Sequence, residues 1–146
     1  MEGAAASMPP PKYGYFEQPQ SGRILTLFDD VVICSHSSVD RAYTLHADVV
    51  YVDPLGTKHR VPKGYQFNGL SVPRFFWRVC SPDAPAAFAA SCLHDWLYQG
   101  QLVARSRADW IFYCASRARG YPAIFAYRNW LAVRMFGWWP WWRRKT

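Results

Sequence analysis

The four cysteines, Cys34, Cys80, Cys92 and Cys114, are too widely separated for a CxxC knuckle or a local redox motif. Two disulfides and four buried thiols both suit such a count. The N-terminal stretch MEGAAASMPPP lacks a basic start and an apolar run, so it does not read as a signal peptide. Long clean hydrophobic runs are also missing. The densest one, YPAIFAYRNWLAVRMFGWWPWW, is broken by Arg128, Asn129, Arg134 and Pro140, which argues against a membrane-spanning helix. No glycine-rich phosphate loop, zinc-finger spacing or RNA-binding aromatic motif is present, which argues against specific nucleic-acid binding.

What is present is a core-forming composition. The chain has 146 residues, 51% of them hydrophobic and 18% aromatic, enough for one domain and too apolar for a disordered segment. The net charge of +7 suits an acidic partner or an anionic surface. Basic residues crowd the second half, and four of the eight tryptophans fall at Trp138, Trp139, Trp141 and Trp142.

Proline and small residues make residues 1–21 an extended arm. A single domain over 22–137 and a Trp/Arg-rich tail over 138–146 complete the expected organisation. RILTLFDDVVICS reads as a hairpin, and RAYTLHADVVYVD alternates as strands do. DPLGTKH supplies a turn, and Arg60 and Val61 a short return strand. The period then changes. FNGLSVPR is a loop leading into a short helix, with Ser71 as its cap and Pro73 near its first turn. Pro85 opens a helix through AAFAASCLHDWLY, Gly100 interrupts it, and a second helix runs to Gly120. Pro122 starts a third, ending near Gly137. The expected fold is α+β, a small N-terminal antiparallel sheet followed by three principal helices.

On the first long helix His94 and Tyr98 are four residues apart and share a face, while Asp95 points elsewhere. A tight turn near Gly100 would bring Asp109 to the height of His94 on an antiparallel neighbour. Its carboxylate could then fix the imidazole's tautomer and leave the other nitrogen free as a general base. Asp95, with Asn68 on the loop, could supply oxygens to a hard cation such as calcium. A purely structural reading uses the same residues. His94 then simply bonds Asp109, Tyr98 packs between helices, and Arg105 pairs with Asp109 at i,i+4. His36, His46 and His59 lack the spacing of a metal cluster.

Three ordered motifs, Phe67-Asn68-Gly69-Leu70-Ser71-Val72-Pro73-Arg74, His94-Asp95-Trp96-Leu97-Tyr98 and Arg105-x-x-Ala108-Asp109, resemble a small uncharacterised family encoded by tailed phages, prophages and bacteria. That family usually carries aspartate where this chain has Asn68. The resemblance implies a virion structural or assembly component, sited in the virion or in the host cytoplasm during assembly, with protein subunits as partners. Over residues 86–119, His94-Asp95-x-x-Tyr98 and Asp109 also resemble the active-site helix pair of secreted phospholipase A2. That likeness implies a calcium-assisted esterase with His94 as base, Asp109 and Tyr98 supporting it, and Asp95 on the metal. The glycine-rich calcium loop of that family is not recognisable upstream.

The WWPWWRRK tail combines amphipathic rings with cations. It is expected to bury Trp138, Trp139, Trp141 and Trp142 against a partner subunit, with Arg143 and Arg144 at the rim. A membrane surface is the alternative partner. Pro140 is expected to interrupt the terminal helix and turn the second Trp pair away from the first.

Overall fold

A computed structural model describes residues 12–17, 34–39, 42–67 and 85–143. The hairpin expected over 23–35 and the FNGLSVPR loop fall largely or wholly outside the described residues, as do Cys80 and Arg144. Among the described residues six short strands precede four helices. The strands are β1 (Tyr15–Phe16), β2 (Cys34–Ser37), β3 (Ala42–Leu45), β4 (Val49–Val52), β5 (Lys58–Val61) and β6 (Gln66–Phe67). The helices are α1 (Pro85–Gly100), α2 (Arg105–Ala118), α3 (Ala123–Phe136) and α4 (Trp138–Arg143). This is the expected α+β order, with every strand pair antiparallel.

The strands divide into two three-stranded sheets, ordered β1-β4-β5 and β2-β3-β6. The central β4 is buried along its whole length, whereas β5 alternates exposed and buried residues. Their hairpin turns through Asp53–Thr57, as the DPLGTKH stretch predicts. Gly56 adopts φ +84°, a left-handed conformation that costs a glycine little. The Asp53 carboxylate closes the turn by accepting the backbone N–H groups of Leu55 and Thr57. Part of the expected N-terminal arm lies on this sheet. Tyr15 and Phe16 pair with Val52 and Tyr51, and the buried Tyr51 hydroxyl donates to the carbonyl of Tyr13.

The helices cover the sheets through one core. Phe88, Leu93 and Leu97 of α1 meet Ile111 and Phe112 of α2, together with Tyr51 and Phe67 from the strands. Ala89, Ala90, Ala108 and Ala115 have no exposed surface, and these small side chains let the helices approach closely. α2 ends as its sequence foretells. Gly120 takes φ +83° and donates to the carbonyl of Arg117, while Tyr121 donates to that of Ser116.

The breaks at Gly100 and Gly137 fall where the sequence puts them, but two details differ. Gly100 is the last residue of α1, and the left-handed turn residue is Gln101, at φ +47°. Its side-chain amide donates to the carbonyl of Trp141 at 2.8 Å, so a tertiary bond holds a conformation that glycine would adopt unaided. At the other end, Pro140 does not interrupt a helix. The chain breaks at Gly137, and α4 continues through Pro140. Pro140 is the third residue of α4, within the first turn, where a missing N–H costs nothing.

Cys34, Cys92 and Cys114 are buried. Burial pushes the Cys92 thiol well above the ordinary thiol range and Cys114 to about 11, so both stay protonated and pack as small apolar groups.

Candidate functional site

The four-residue link between α1 and α2 folds the second helix back along the first. His94 thereby meets Asp109, and its Nε2 lies 2.8 Å from Oδ1. Tyr98, one turn further along α1, donates its hydroxyl to the same oxygen at 2.6 Å. The other carboxylate oxygen receives the Arg134 guanidinium of α3 at 2.9 Å, with the Arg105 Nε 3.9 Å away. Asp109 has no exposed surface. Three helices therefore converge on one buried carboxylate.

Burial alone would raise the Asp109 pKa. Hydrogen bonds from His94 and Tyr98, the charge of His94 and the bond from Arg134 outweigh it and hold the carboxyl below its usual value. Tyr98 moves the other way. Burial, the bond it gives to Asp109 and the charge of that carboxylate all raise its pKa, so it remains a phenol that donates. Because the ionised carboxylate can only accept, His94 carries a proton on Nε2, and in the neutral imidazole Nδ1 is then the basic nitrogen. The imidazole sits between the rings of Tyr98 and Phe112, with centroids 4.2 and 4.9 Å away, and its side chain is 13% exposed. It is oriented and nearly dry.

The sequence placed His94, Tyr98, Asp109 and Arg105 together, and they are together. Arg134 was missed, because nothing local ties a basic residue on a third helix to an acid twenty-five positions earlier. Arg105 does more than pair along its own helix. Its guanidinium also donates to the carbonyls of Val133 and Arg134, tying α2 to the end of α3. With two guanidinium groups beside it, the Asp109 charge is shared and not aimed at the imidazole alone.

Asp95 faces a different neighbourhood, as its position on the helix implies. Its Oδ2 accepts the Tyr65 hydroxyl at 2.5 Å and the Gln99 amide at 3.3 Å. Asn68 lies outside the described residues. Calcium takes roughly six to eight oxygens, and among the described residues no three His, Cys, Asp or Glu side chains converge as a ligand set.

A second histidine–carboxylate pair was not foreseen. Asp53, at the β4–β5 turn, has no exposed surface and receives the His59 Nε2 at 2.9 Å and the Arg107 guanidinium at 3.0 Å. Burial raises its pKa, but the His59 bond and the turn N–H groups of Thr57 and Leu55 bring it below the ordinary value. Asp53 followed by Gly56 signalled the turn, but not that its carboxylate would also clamp α2 to the sheet.

The four tail tryptophans take different positions. Trp141 is half-buried and turns its ring edge onto Tyr98, with centroids 5.1 Å apart. Trp138, Trp139 and Trp142 are about half exposed. Trp138, Trp141 and Trp142 frame, with Arg105, an open hollow of about 430 Å³. The Arg143 side chain lies outside the described set, like Arg144.

The fold and site define a small α+β domain whose first two long helices clasp a buried carboxylate through an HDxxY face. The chain belongs to the family described as protein of unknown function DUF1353, whose model matches residues 43–133. An uncharacterised protein, y4jT, from Sinorhizobium fredii (strain NBRC 101917 / NGR234) is 31% identical over 105 residues. The match covers 71% of this chain and 31% of that relative, so the chain spans about a third of its length. No solved structure matches.

Proposed function

We propose that this domain is a phage-type virion structural or assembly component, sited in the virion or in the host cytoplasm during assembly, that docks on neighbouring protein subunits. The observation that carries this reading is the hollow framed by Arg105, Trp138, Trp141 and Trp142. A concave aromatic socket with one guanidinium suits an inserted side chain from a partner, and tryptophan and arginine dominate interface energetics. Among the described residues no helix is long and apolar enough to cross a membrane. Trp138→Ala combined with Trp142→Ala is expected to weaken incorporation into particles or assembly intermediates by at least about tenfold. Both indoles are half exposed, so the thermal unfolding midpoint should hardly move. Unchanged incorporation of a correctly folded double variant would remove the socket from the interface.

A second reading is favoured by one specific feature, the His94–Asp109 bond that leaves Nδ1 as a base. In an esterase, Nδ1 would take a proton from water as the water oxygen attacks the ester carbonyl. The same proton would then pass to the leaving alkoxide. Hydrolysis of ester and phospholipid substrates, with and without calcium, tests this reading. If activity exists, His94→Ala should lower it by about two to four orders of magnitude. A wild-type chain that hydrolyses nothing across a broad panel leaves His94 as part of a structural clasp.

A further inference from the structure

α3 has two faces of opposite fate. Ala126, Asn129 and Ala132 are buried, and their side of the helix packs on α2. Ile124, Tyr127, Leu131 and Met135 are 58%, 54%, 40% and 56% exposed. Spaced by three and four residues, they form one continuous row on the side opposite the core. A helix on the surface of a globular domain ordinarily puts polar groups there. Arg128 falls within the same row, exposed, with its guanidinium 5.9 Å above the Phe125 ring. Beyond Asp109 every charged side chain in the sequence is basic.

We propose that this outer face of α3 seats on an anionic lipid surface, separately from the aromatic socket assigned to protein contact. An apolar row that includes Arg128, in a stretch whose sequence has no acidic residue, matches a bilayer interface, where acyl chains lie beneath phosphate groups. Tyr127 offers a ring with an apolar body and a polar tip, which suits the headgroup boundary. A second copy of the chain would bring the same basic charge against this one, so its fit is poorer. The helix lies on the surface and does not cross it, since it is too short to span.

Vesicle flotation of the 146-residue chain tests the proposal. It should float with vesicles of phosphatidylcholine mixed with phosphatidylglycerol, far less with phosphatidylcholine alone, and progressively less as salt rises. Leu131→Glu with Met135→Glu should weaken binding to the mixed vesicles by at least about tenfold. The circular dichroism spectrum should stay unchanged, since both side chains are exposed. Should that variant fail to fold, Ile124→Glu at the start of the helix serves in its place. Absence of flotation with anionic vesicles at low salt overturns the proposal, as does equal flotation of a folded variant. Sedimentation velocity supplies the remaining arm. Self-association that the same substitutions abolish, with no vesicle binding by either form, would assign the face to a second copy instead.

Discussion

Asp109→Ala is expected to lower the unfolding free energy by about 3–5 kcal/mol, measured by urea denaturation near neutral pH. The carboxylate has no exposed surface, and it receives His94, Tyr98 and Arg134 directly. Removing it leaves a buried phenol and a mostly buried imidazole without their acceptor, and the Arg134 and Arg105 guanidinium groups without their counter-charge. Such losses are large because the orphaned groups pay their full desolvation cost. Asp109→Asn keeps one carbonyl oxygen but no charge, so it should fall between the wild type and alanine. A loss below about 1 kcal/mol would show that water reaches and satisfies the cluster.

The same carboxylate sets a pH dependence whose sign follows from its lowered pKa. A carboxyl that is more acidic in the folded state than in the unfolded chain contributes stability that is complete above the unfolded value. That contribution is lost as pH falls through the folded one. The stability gap between wild type and Asp109→Ala should therefore be full at neutral pH and begin to close below about pH 4. An equal gap at neutral pH and at about pH 3 would mean that volume, not charge, holds the helices.

Asp53→Ala is expected to cost about 3 kcal/mol by the same measurement. Its carboxylate caps two turn N–H groups, holds the buried His59 and receives Arg107 from α2. Arg107 is more exposed than His59, so the loss of His59 should outweigh the loss of Arg107. Amide exchange should accelerate first in Leu55 and Thr57 and then along β4 and β5. Asp53→Asn retains a carbonyl oxygen for the turn and should lose the His59 and Arg107 pairing selectively. A variant with alanine at Asp53 that keeps both its stability and its hairpin protection would reduce this cluster to a surface ornament of the turn.

The helix pair was legible because the signals are local. Pro85 marks a start, Gly120 a stop, and the short link after α1 leaves little freedom other than an antiparallel return. From that return alone, His94 and Asp109 fall at one height, with Tyr98 and Arg105 on the adjoining turns. The β4–β5 hairpin was legible for the same reason, since Asp53 and Gly56 fix a turn between two β-rich runs. Division of the strands into two sheets was not, because strand partners are chosen by long-range burial and not by the turn beside them.

The sequence by itself determined the α+β order, the two long helices and the meeting of His94, Tyr98 and Asp109. These depend on helical period, on proline and glycine at helix ends, and on a short connection, all of them properties of neighbouring residues. Tertiary structure decided what that meeting became. Arg134 arrives from α3 to share the Asp109 charge, Trp141 turns onto Tyr98 while Trp142 stays exposed, and Gln101 holds a left-handed turn by bonding α4. Asp53 and Arg107 likewise stand fifty-four residues apart and meet at 3.0 Å. Partners like these are selected by the cost of leaving a buried charge or polar group unpaired, and that cost exists only once distant segments have excluded water together.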